Sequence, residues 1–462
     1  MLPSHRFHDI LLSVLLVAAV SAPAQTDLGP LFAEPSPAEI ATVQADWTSR
    51  PTEASGFALE TNAVVDGYAV SRASFVHDGL TQYGLVRFPR DHTPGGSYPV
   101  MVMHHGGIEG FFYLSYISFD EGFPSGCVGD SAFVLVPTYR GEGFAGGDVL
   151  GNRFSEGEVS LWDRDCDDAM AMLTAFLDAT PEADPERITS LGRSRGAGVA
   201  YHMALRDGRV RRSVIMFGAS DFRQPDIQAD CDAEVNHGFP ATNTLSRKVM
   251  DDIVSPWLAG EMTLAEARLL LIGWSSYYHL EEPLSLQVHH GEQDENIPIA
   301  HAELVDSVLT GLGAGPPEYD FYRYPLAGHG VSGMTDYEER VEDYLCHLPP
   351  EPTTDVPSAV TGYSLEVWPN PFAAEVTLQW EKAAADTGAE AGTVRILDLR
   401  GRVVRRLAPE DPQGLYHWDG RDSRGREAPA GLYFAVGGAE KSPDRKAGAL
   451  VSKVRGRLLK LR

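Results

Sequence analysis

The sequence predicts an α/β fold, a doubly wound and mostly parallel sheet, followed by a small β-sandwich. Near-continuous apolar runs alternate with helical stretches, which is typical of parallel strands covered on both faces. A proline-rich break near residue 350 and a change in the sign of the net charge separate the last part of the chain. The chain therefore divides into a large α/β unit and a smaller β unit.

The composition is that of a globular protein. The 462 residues are 43% hydrophobic and 22% charged, which excludes a disordered chain, a collagen and a coiled coil. The formal net charge is −27, so nucleic acid is excluded as a partner for most of the chain. From Tyr363 onward there are 17 basic and 13 acidic residues, against 21 and 52 before it. This shift marks a domain boundary.

The first 24 residues have the pattern of a signal peptide. Arg6 precedes an apolar run over Ile10–Val20, and Ala22-Pro23-Ala24 is a small-x-small cleavage site. The run is too short to span a bilayer, so we expect a secreted protein; a buried N-terminal helix is the alternative. Export permits disulfides, and the four cysteines are expected as structural bridges or inert buried thiols: Cys127, Cys166, Cys231 and Cys346. Their pairing is left open.

The strands of the main sheet are predicted from eight apolar segments: Ala73–Val76, Tyr83–Phe88, Tyr98–His104, Ala132–Pro137, Ile188–Gly192, Ser213–Phe217, Leu284–His289 and Glu318–Tyr324. Helices are predicted over Leu161–Leu177, Ala197–Leu205 and His301–Leu309. A long insertion, Asp221–Glu282, separates two strands and is expected to shape a binding cleft. Its aromatic residues belong either to that cleft or to a core of the insertion itself: Trp257, Trp274, Tyr277 and Tyr278.

Five parts of the chain follow from these patterns. They are a signal peptide (1–24), an N-terminal extension (25–62), a catalytic α/β domain (63–347, with the insertion at 221–282), a proline-rich linker (348–362) and a C-terminal domain (363–462). The extension is rich in Pro, Ser and Thr, and predicts an extended lead with at most one short helix.

The strongest motif is Gly192-Arg193-Ser194-Arg195-Gly196, which lies between a predicted strand and a predicted helix. A serine nucleophile needs this context, because it occupies a strained strand-to-helix turn with glycines on either side. The start of the helix also favours the negative charge of an oxyanion. Ser194 is therefore the candidate nucleophile. Arg193 and Arg195 either attract an acidic substrate group or pair with carboxylates.

An acid and a histidine follow the serine in the chain order Ser-Asp-His. Asp294 follows the strand ending in His289-His290, and His329 follows the last strand of the main sheet. Both places are carboxyl ends of strands, where parallel sheets carry their sites. His329 is expected to act as the base and Asp294 to orient it. Asp221 is the alternative acid, and Glu292 and Glu295 are acidic neighbours.

The oxyanion hole is expected from main-chain donors. The N–H of Arg195 would act with a donor from the loop His104-His105-Gly106-Gly107, so His105 and Gly106 are the candidates. The adjacent pairs His104-His105 and His289-His290 are poor chelators, because neighbours along a strand face opposite sides. No metal is therefore expected, and no cofactor is expected because the nucleophile, the base and the oxyanion donors supply the chemistry.

The run from Tyr98 to His329 resembles the catalytic domain of the prolyl oligopeptidase-like serine peptidases, within the α/β-hydrolase superfamily. The matching stretches include PVMVMHHGG, FVLVPTYRGEGFAGG, DPERITSLGRSRGAGVAYHMAL, LQVHHGEQDENIPIAHAELV and YPLAGHG. The resemblance implies a doubly wound α/β-hydrolase sheet and cleavage of peptide bonds through an acyl-serine. Two departures weaken the transfer of peptidase activity. Too few residues precede the domain for the family's β-propeller, and histidines stand where some members carry an oxyanion tyrosine.

The last hundred residues resemble the C-terminal sorting domain of type IX secretion cargo and the Ig-like domain of flagellar hook-capping proteins. The resemblance rests on Trp368-Pro369-Asn370-Pro371-Phe372, VRILDLRGRVVRRL and WDGRDSRGREAPAGLYF. It implies export through the periplasm, with the outer-membrane secretion machinery as partner. An accessory sandwich that binds carbohydrate or protein is the alternative. The basic end KVRGRLLKLR is expected to form the module's last strand and tail.

These patterns predict a secreted serine hydrolase, cell-surface or extracellular, and the family resemblance implies that it acts on a peptide. A carboxylesterase of the acetyl xylan or cinnamoyl type is the alternative substrate class. A third reading is a catalytically silent surface binding protein with this fold. The sequence leaves the acyl group, the leaving group and the oligomeric state open.

Overall fold

The computed structural model describes most of the α/β unit, residues 25–112 and 130–346. In the C-terminal part it describes residues 363–368, 374–382, 390–391, 393–398, 403–409, 415–429, 431–440 and 453–460. The predicted signal peptide, the predicted linker and Cys127 lie outside the described residues.

A nine-stranded sheet forms the centre of the α/β unit. The strands of this unit are β1 (Ser55–Val65), β2 (Tyr68–His77), β3 (Leu80–Arg87), β4 (Tyr98–His104), β5 (Gly110–Phe112), β6 (Phe133–Thr138), β7 (Gly143–Ala145), β8 (Arg153–Phe154), β9 (Ala183–Arg193), β10 (Val210–Met216), β11 (Leu286–Gly291) and β12 (Tyr319–Tyr324). The order is β1-β2-β3-β6-β4-β9-β10-β11-β12, and β5, β7 and β8 form a small separate sheet. Pairs from β6 to β12 are parallel, whereas β1, β2 and β3 are antiparallel at one edge. The predicted fold class is confirmed.

The central strands are apolar throughout because both faces of the sheet are covered. In β4, Val100 and Val102 belong to one buried cluster, and Met101 and Met103 belong to the cluster on the opposite face. Side chains alternate across a strand, so burial on both faces requires an unbroken apolar run. This is why the sequence locates these strands, with their carboxyl ends within two residues of those observed.

Helices cover the two faces. They are α1 (Gly29–Phe32), α2 (Pro37–Ser49), α3 (Gly147–Leu150), α4 (Arg164–Ala179), α5 (Arg195–Arg206), α6 (Pro225–His237), α7 (Thr244–Val249), α8 (Ser255–Ala259), α9 (Leu264–Trp274), α10 (Ala300–Gly311) and α11 (Tyr337–Cys346). The helix predicted from Leu161 begins at Arg164. Trp162 adopts a left-handed conformation with φ +57°, and its N–H donates to Asp165 Oδ2 at 2.9 Å, so the chain turns before the helix starts.

The N-terminal extension is more ordered than expected. Helix α2 has 13 residues and begins with a capping box between Ser36 and Glu39. Arg268 of α9 donates to Glu39 Oε1 at 2.6 Å, and this hydrogen bond lowers the pKa of Glu39 to about 2. Strand β1 crosses the predicted boundary at residue 62 and extends the main sheet. The extension is therefore built into the α/β unit rather than leading up to it.

The insertion over 221–282 is helical and has its own core. Trp274 packs on Phe222 and on Trp162, with ring centroids 5.5 Å and 5.1 Å apart. Leu28 and Leu31 from the N-terminal extension enter the same buried cluster. Of the two places expected for the insertion's aromatic residues, Trp274 occupies the core.

Two sheets make up the described C-terminal residues. Their strands are β13 (Tyr363–Trp368), β14 (Val376–Lys382), β15 (Glu390–Ala391), β16 (Val394–Asp398), β17 (Val403–Leu407), β18 (Leu415–Trp418), β19 (Gly431–Glu440) and β20 (Lys453–Lys460). Val376 and Trp418 of one sheet share a buried cluster with Ile396 and Tyr433 of the other, which makes a small β-sandwich. The basic end of the chain contributes β20, which pairs with β19.

The three described cysteines adopt both of the expected states. Cys166 and Cys231 are buried free thiols, and burial raises the pKa of each to about 12, which keeps them protonated and inert. Cys346 is disulfide-bonded. Among the described residues, no helix is both long enough and apolar enough to cross a membrane.

Candidate active site

Ser194 lies at the sharp turn between β9 and α5. Its φ is +53°, a strained conformation for a residue with a side chain. The flanking glycines have no space for a side chain. A Cβ on Gly192 would lie 2.0 Å from the Gly196 carbonyl oxygen, and one on Gly196 would lie 2.2 Å from that of His104. The Gly-x-Ser-x-Gly spacing is thus required by close main-chain contacts, and it holds the Ser194 hydroxyl at the carboxyl end of the sheet.

His329 lies in the loop after β12 and contacts both Ser194 and Asp294. Its Nε2 is 2.8 Å from Ser194 Oγ, and its Nδ1 is 2.9 Å from Asp294 Oδ2. A carboxylate only accepts, so Nδ1 carries the proton and Nε2 is free to accept one from the serine. The ring of Phe217 packs edge-on against the imidazole, with centroids 5.0 Å apart. The structure therefore brings the three predicted residues into one hydrogen-bonded chain.

Asp294 is buried and tied down by several donors. Its Oδ1 accepts from the N–H groups of Asn296 at 3.0 Å and Ile297 at 2.9 Å. His290 Nε2 donates to the Ile297 carbonyl at 2.8 Å and also lies 3.5 Å from Asp294 Oδ2. Burial alone would raise the pKa of Asp294, but the hydrogen bonds from His290, His329 and the main chain outweigh it and hold that pKa below its ordinary value. The carboxylate facing His329 is thus kept ionised.

Asp221, the alternative acid, is engaged elsewhere. Its Oδ1 accepts from the Arg223 N–H at 2.9 Å, and its Oδ2 accepts from the Tyr278 hydroxyl at 3.3 Å. Burial raises the pKa of Asp221 to about 6. The structure places Asp294, and not Asp221, against His329.

The residues predicted for the oxyanion hole also meet at Ser194. The N–H of Arg195 is in the first turn of α5, where main-chain N–H groups have no partner within the helix. The loop after β4 approaches from the other side: a Cβ on Gly106 would lie 3.3 Å from Ser194 Cβ and 3.9 Å from its Oγ. Gly107 then takes a φ of +76°. The main chain of His105 and Gly106 is therefore adjacent to the candidate nucleophile.

The side chains of the paired histidines are held within the fold, each by at least one ring nitrogen. His104 Nδ1 is 3.3 Å from the Tyr139 hydroxyl, and His105 Nδ1 donates to the Gly106 carbonyl at 3.0 Å. His289 contacts the Tyr324 hydroxyl at 2.7 Å. In the part of the chain that the structure describes, no group of His, Cys, Asp and Glu is arranged to hold a metal ion.

Sequence reasoning missed three residues that contact this site. His290 supports Asp294, as described above. Glu142 and Asp165 are buried beside the Arg195 guanidinium. Of the two roles expected for Arg195, the structure therefore shows pairing with carboxylates. Glu142 lies in a stretch that carried the family resemblance, but nothing in the local pattern of either acid indicates its contact with Arg195, which is 53 positions from Glu142 and 30 from Asp165.

Comparisons with known proteins give structural neighbours only. No protein-family model and no curated protein matches the chain. Acetyl xylan esterase 1 from Thermoanaerobacterium sp. is similar at 17% identity and a TM-score of 0.45, over 70% of this chain and 99% of that one. An acetyl xylan esterase from Paenibacillus sp. R4 is similar at 17% identity and a TM-score of 0.43, over 71% and 96%.

The acylaminoacyl peptidase of Pyrococcus horikoshii is similar at 16% identity and a TM-score of 0.40, over 62% of this chain and 43% of that one. The alignment thus spans less than half of the peptidase. A mostly parallel sheet in the order described, with a serine at the tight turn between β9 and α5, is the arrangement of an α/β-hydrolase, and this chain has that fold.

Proposed function

We propose that the protein is a serine hydrolase that works through an acyl-enzyme. One observation carries the proposal: Ser194, His329 and Asp294 form a continuous hydrogen-bonded chain of 2.8 Å and 2.9 Å at the carboxyl end of the sheet. A scaffold that only binds would not need a strained serine, a histidine and an ionised carboxylate in this order.

The proposed reaction begins when Ser194 Oγ attacks the substrate carbonyl carbon. His329 Nε2 takes the hydroxyl proton, and the ionised Asp294 stabilises the resulting imidazolium. The carbonyl oxygen becomes an oxyanion that the N–H of Arg195 and the loop at His105 and Gly106 would bind. When the tetrahedral intermediate collapses, the bond to the leaving group breaks and His329 returns the proton to that group. Water then repeats the sequence on the acyl-enzyme, which releases the acid and restores the serine.

Peptides are the first substrate class that we propose. The motif resemblance over Tyr98 to His329 supports it. A carboxylester is the second candidate, and a specific observation favours it. His104 and His105 stand where some members of the resembled family carry an oxyanion tyrosine, and both side chains are buried. The acyl-serine chemistry is the same for both classes, because only the leaving group differs.

We also propose that the protein is exported and that residues 363–462 act in sorting. The separate buried cluster of the β-sandwich, with Val376 and Trp418, supports a module that folds around its own core. Deletion of residues 363–462 should leave hydrolysis by the secreted remainder intact and block delivery to the cell surface. Loss of hydrolysis on deletion would contradict this division of roles.

The function is tested with nitrophenyl acyl esters and with aminoacyl and peptidyl nitroanilides. Turnover of the amides that disappears in Ser194→Ala would support a peptidase. Turnover of esters alone, again lost in the variant, would move the protein to the esterases. Mass spectrometry with a fluorophosphonate provides a test that needs no known substrate: wild type should gain one phosphonyl group and Ser194→Ala none. An unlabelled wild type would leave the binding-protein reading in place.

A further inference from the structure

The Arg195 side chain is buried behind the loop that approaches Ser194. Its Nε and Nη2 donate to Asp165 Oδ2 at 3.0 Å and 2.7 Å, and its Nη1 donates to the Gly107 carbonyl at 2.8 Å. Nη1 also pairs with Glu142 Oε1. Only 3% of the side chain is exposed, so Arg195 is a fixed internal donor and not a group that meets substrate. The same residue supplies an oxyanion N–H from its main chain and holds the opposing loop with its guanidinium.

His105 holds the neighbouring carbonyl of that loop. Its Nδ1 donates to the Gly106 carbonyl at 3.0 Å, and its ring stacks on Tyr139 with centroids 4.6 Å apart. His105 Nε2 lies 3.6 Å from Glu142 Oε2, and both atoms are fully buried. The Gly106 carbonyl is thus bound by His105 and the Gly107 carbonyl by Arg195, and Glu142 and Asp165 contact these two side chains. We call these four residues the anchor cluster.

One further proton is needed inside this cluster. Burial lowers the pKa of His105 to about 3, so the ring is neutral, and Nε2 has only a lone pair because Nδ1 carries the hydrogen. An ionised Glu142 would face it with a second acceptor. The groups around Glu142 are Arg195, Asp165, Asp168 and His105. Burial and the charges of Asp165 and Asp168 outweigh Arg195 and raise the pKa of Glu142 to about 7. A protonated Glu142 can donate to His105 Nε2, which satisfies both atoms.

We propose that the anchor cluster positions the loop side of the oxyanion hole. Arg195 holds the Gly107 carbonyl, and Glu142, as a buried proton donor, holds His105, which in turn holds the Gly106 carbonyl. The loop then presents its main chain to Ser194. The inference rests on the proposed serine chemistry. A peptide unit is planar, so holding the Gly106 and Gly107 carbonyls fixes the N–H groups of Gly107 and Ile108, and with them the path of the loop that carries the Gly106 N–H past Ser194. Release of either carbonyl allows these units to rotate, and the loop donors are no longer preorganised. Glu142 and the Arg195 side chain are positioning residues that act through the main chain.

The test follows the rate at which a fluorophosphonate labels Ser194. In that reaction Ser194 Oγ bonds to phosphorus, fluoride leaves, and His329 takes the hydroxyl proton, so the oxyanion hole is used without a known substrate. Glu142→Gln keeps an acceptor for Arg195 and supplies a permanent N–H to His105. Its rate should stay within about threefold of wild type at pH 6.5. Glu142→Leu removes both contacts and should slow labelling by at least about tenfold, towards the ~10²–10³ that loss of an oxyanion donor costs.

The pH dependence separates positioning from mere stabilisation of the fold. Wild-type Glu142 ionises as the pH rises through about 7, whereas the glutamine does not titrate. The ratio of the Glu142→Gln rate to the wild-type rate should therefore increase about fivefold or more between pH 6.5 and 9. A constant ratio would overturn the proposal. A Glu142→Leu variant that is labelled as fast as wild type would also overturn it. If Glu142→Leu does not fold, the pH dependence of the Glu142→Gln to wild-type rate ratio is by itself the test of the proposal.

Arg212 provides a matched control for Arg195. It is also a buried arginine that donates to main-chain carbonyls, those of Tyr344 at 2.5 Å and Pro317 at 3.5 Å. Arg195→Lys should slow labelling at least about tenfold, because one ammonium cannot replace the planar fork, while Arg212→Lys should lower only the Tm. Equal rates for the two variants would contradict the proposal. Wild type that is never labelled at Ser194 would instead contradict the proposed function.

Discussion

The substitution Asp294→Asn tests the geometry of the candidate triad directly. Asp294 Oδ1 accepts from two main-chain N–H groups, those of Asn296 and Ile297, while Oδ2 accepts from His329 Nδ1. An asparagine must keep its single oxygen on the two N–H groups, so its NH₂ faces Nδ1. Two donors then meet, and the imidazole is forced into the tautomer with its hydrogen on Nε2. That nitrogen can no longer accept the Ser194 proton.

The expected loss in kcat is about 10⁴-fold, the size known for a serine protease whose triad acid is changed to its amide. This corresponds to about 5 kcal/mol of transition-state stabilisation. The assay is hydrolysis of the ester and nitroanilide panel, with fluorophosphonate labelling of Ser194 as a second readout. Asp221→Asn is the matched control, because Asp221 is a buried acid near the same end of the sheet with other partners. The reasoning would be refuted if Asp294→Asn kept activity within tenfold, or if Asp221→Asn lost as much.

Three further outcomes are expected. Gly196→Ala should lose nearly all labelling of Ser194, because its Cβ would lie 2.2 Å from the His104 carbonyl oxygen; wild-type labelling rates would contradict this contact. The Tm of Glu142→Gln relative to wild type should rise between pH 5 and pH 8. The folded pKa of Glu142, about 7, lies above its unfolded value, so wild type loses stability as the pH increases through this window. A Tm difference that calorimetry finds constant over this pH range would contradict the prediction. Arg268→Ala removes donors to Glu39 and to the Leu31 carbonyl, and should increase the rate of proteolysis between α1 and α2. An unchanged rate of cleavage would show that these hydrogen bonds do not stabilise the segment.

Much of the main sheet was predictable because burial on both faces leaves a distinct mark in the sequence. The strand Tyr98–His104 was predicted with its exact ends, since every position in it must be apolar or closely packed. The edge strand Ser55–Val65 was missed for the opposite reason. It is exposed along most of its length, so its residues carry no apolar pattern. The helix Pro37–Ser49 was not located, and only one short helix was expected in that part of the chain, although Ser36 and Glu39 have the spacing of a capping box.

The candidate site divides in the same way. Ser194, Asp294 and His329 follow strand ends, and the carboxyl ends of parallel strands meet at one edge, so sequence position alone predicts that they lie close together. Glu142 and Asp165 have no such positional rule. Their carboxylates meet Arg195 because three separate segments pack side by side, and pairings of that kind depend on tertiary distances that one sequence does not display.

The burial of Leu28 links processing of the chain to its folding. Leu28 has no exposed surface and shares a core with Trp274 of the insertion. If cleavage falls after Ala24 as the sequence predicts, only three residues separate the new N-terminus from this buried position. Any cut that removes Leu28 would leave a space in the core around Trp274. The free energy of unfolding of the whole α/β unit therefore depends on this short segment ahead of the first strand.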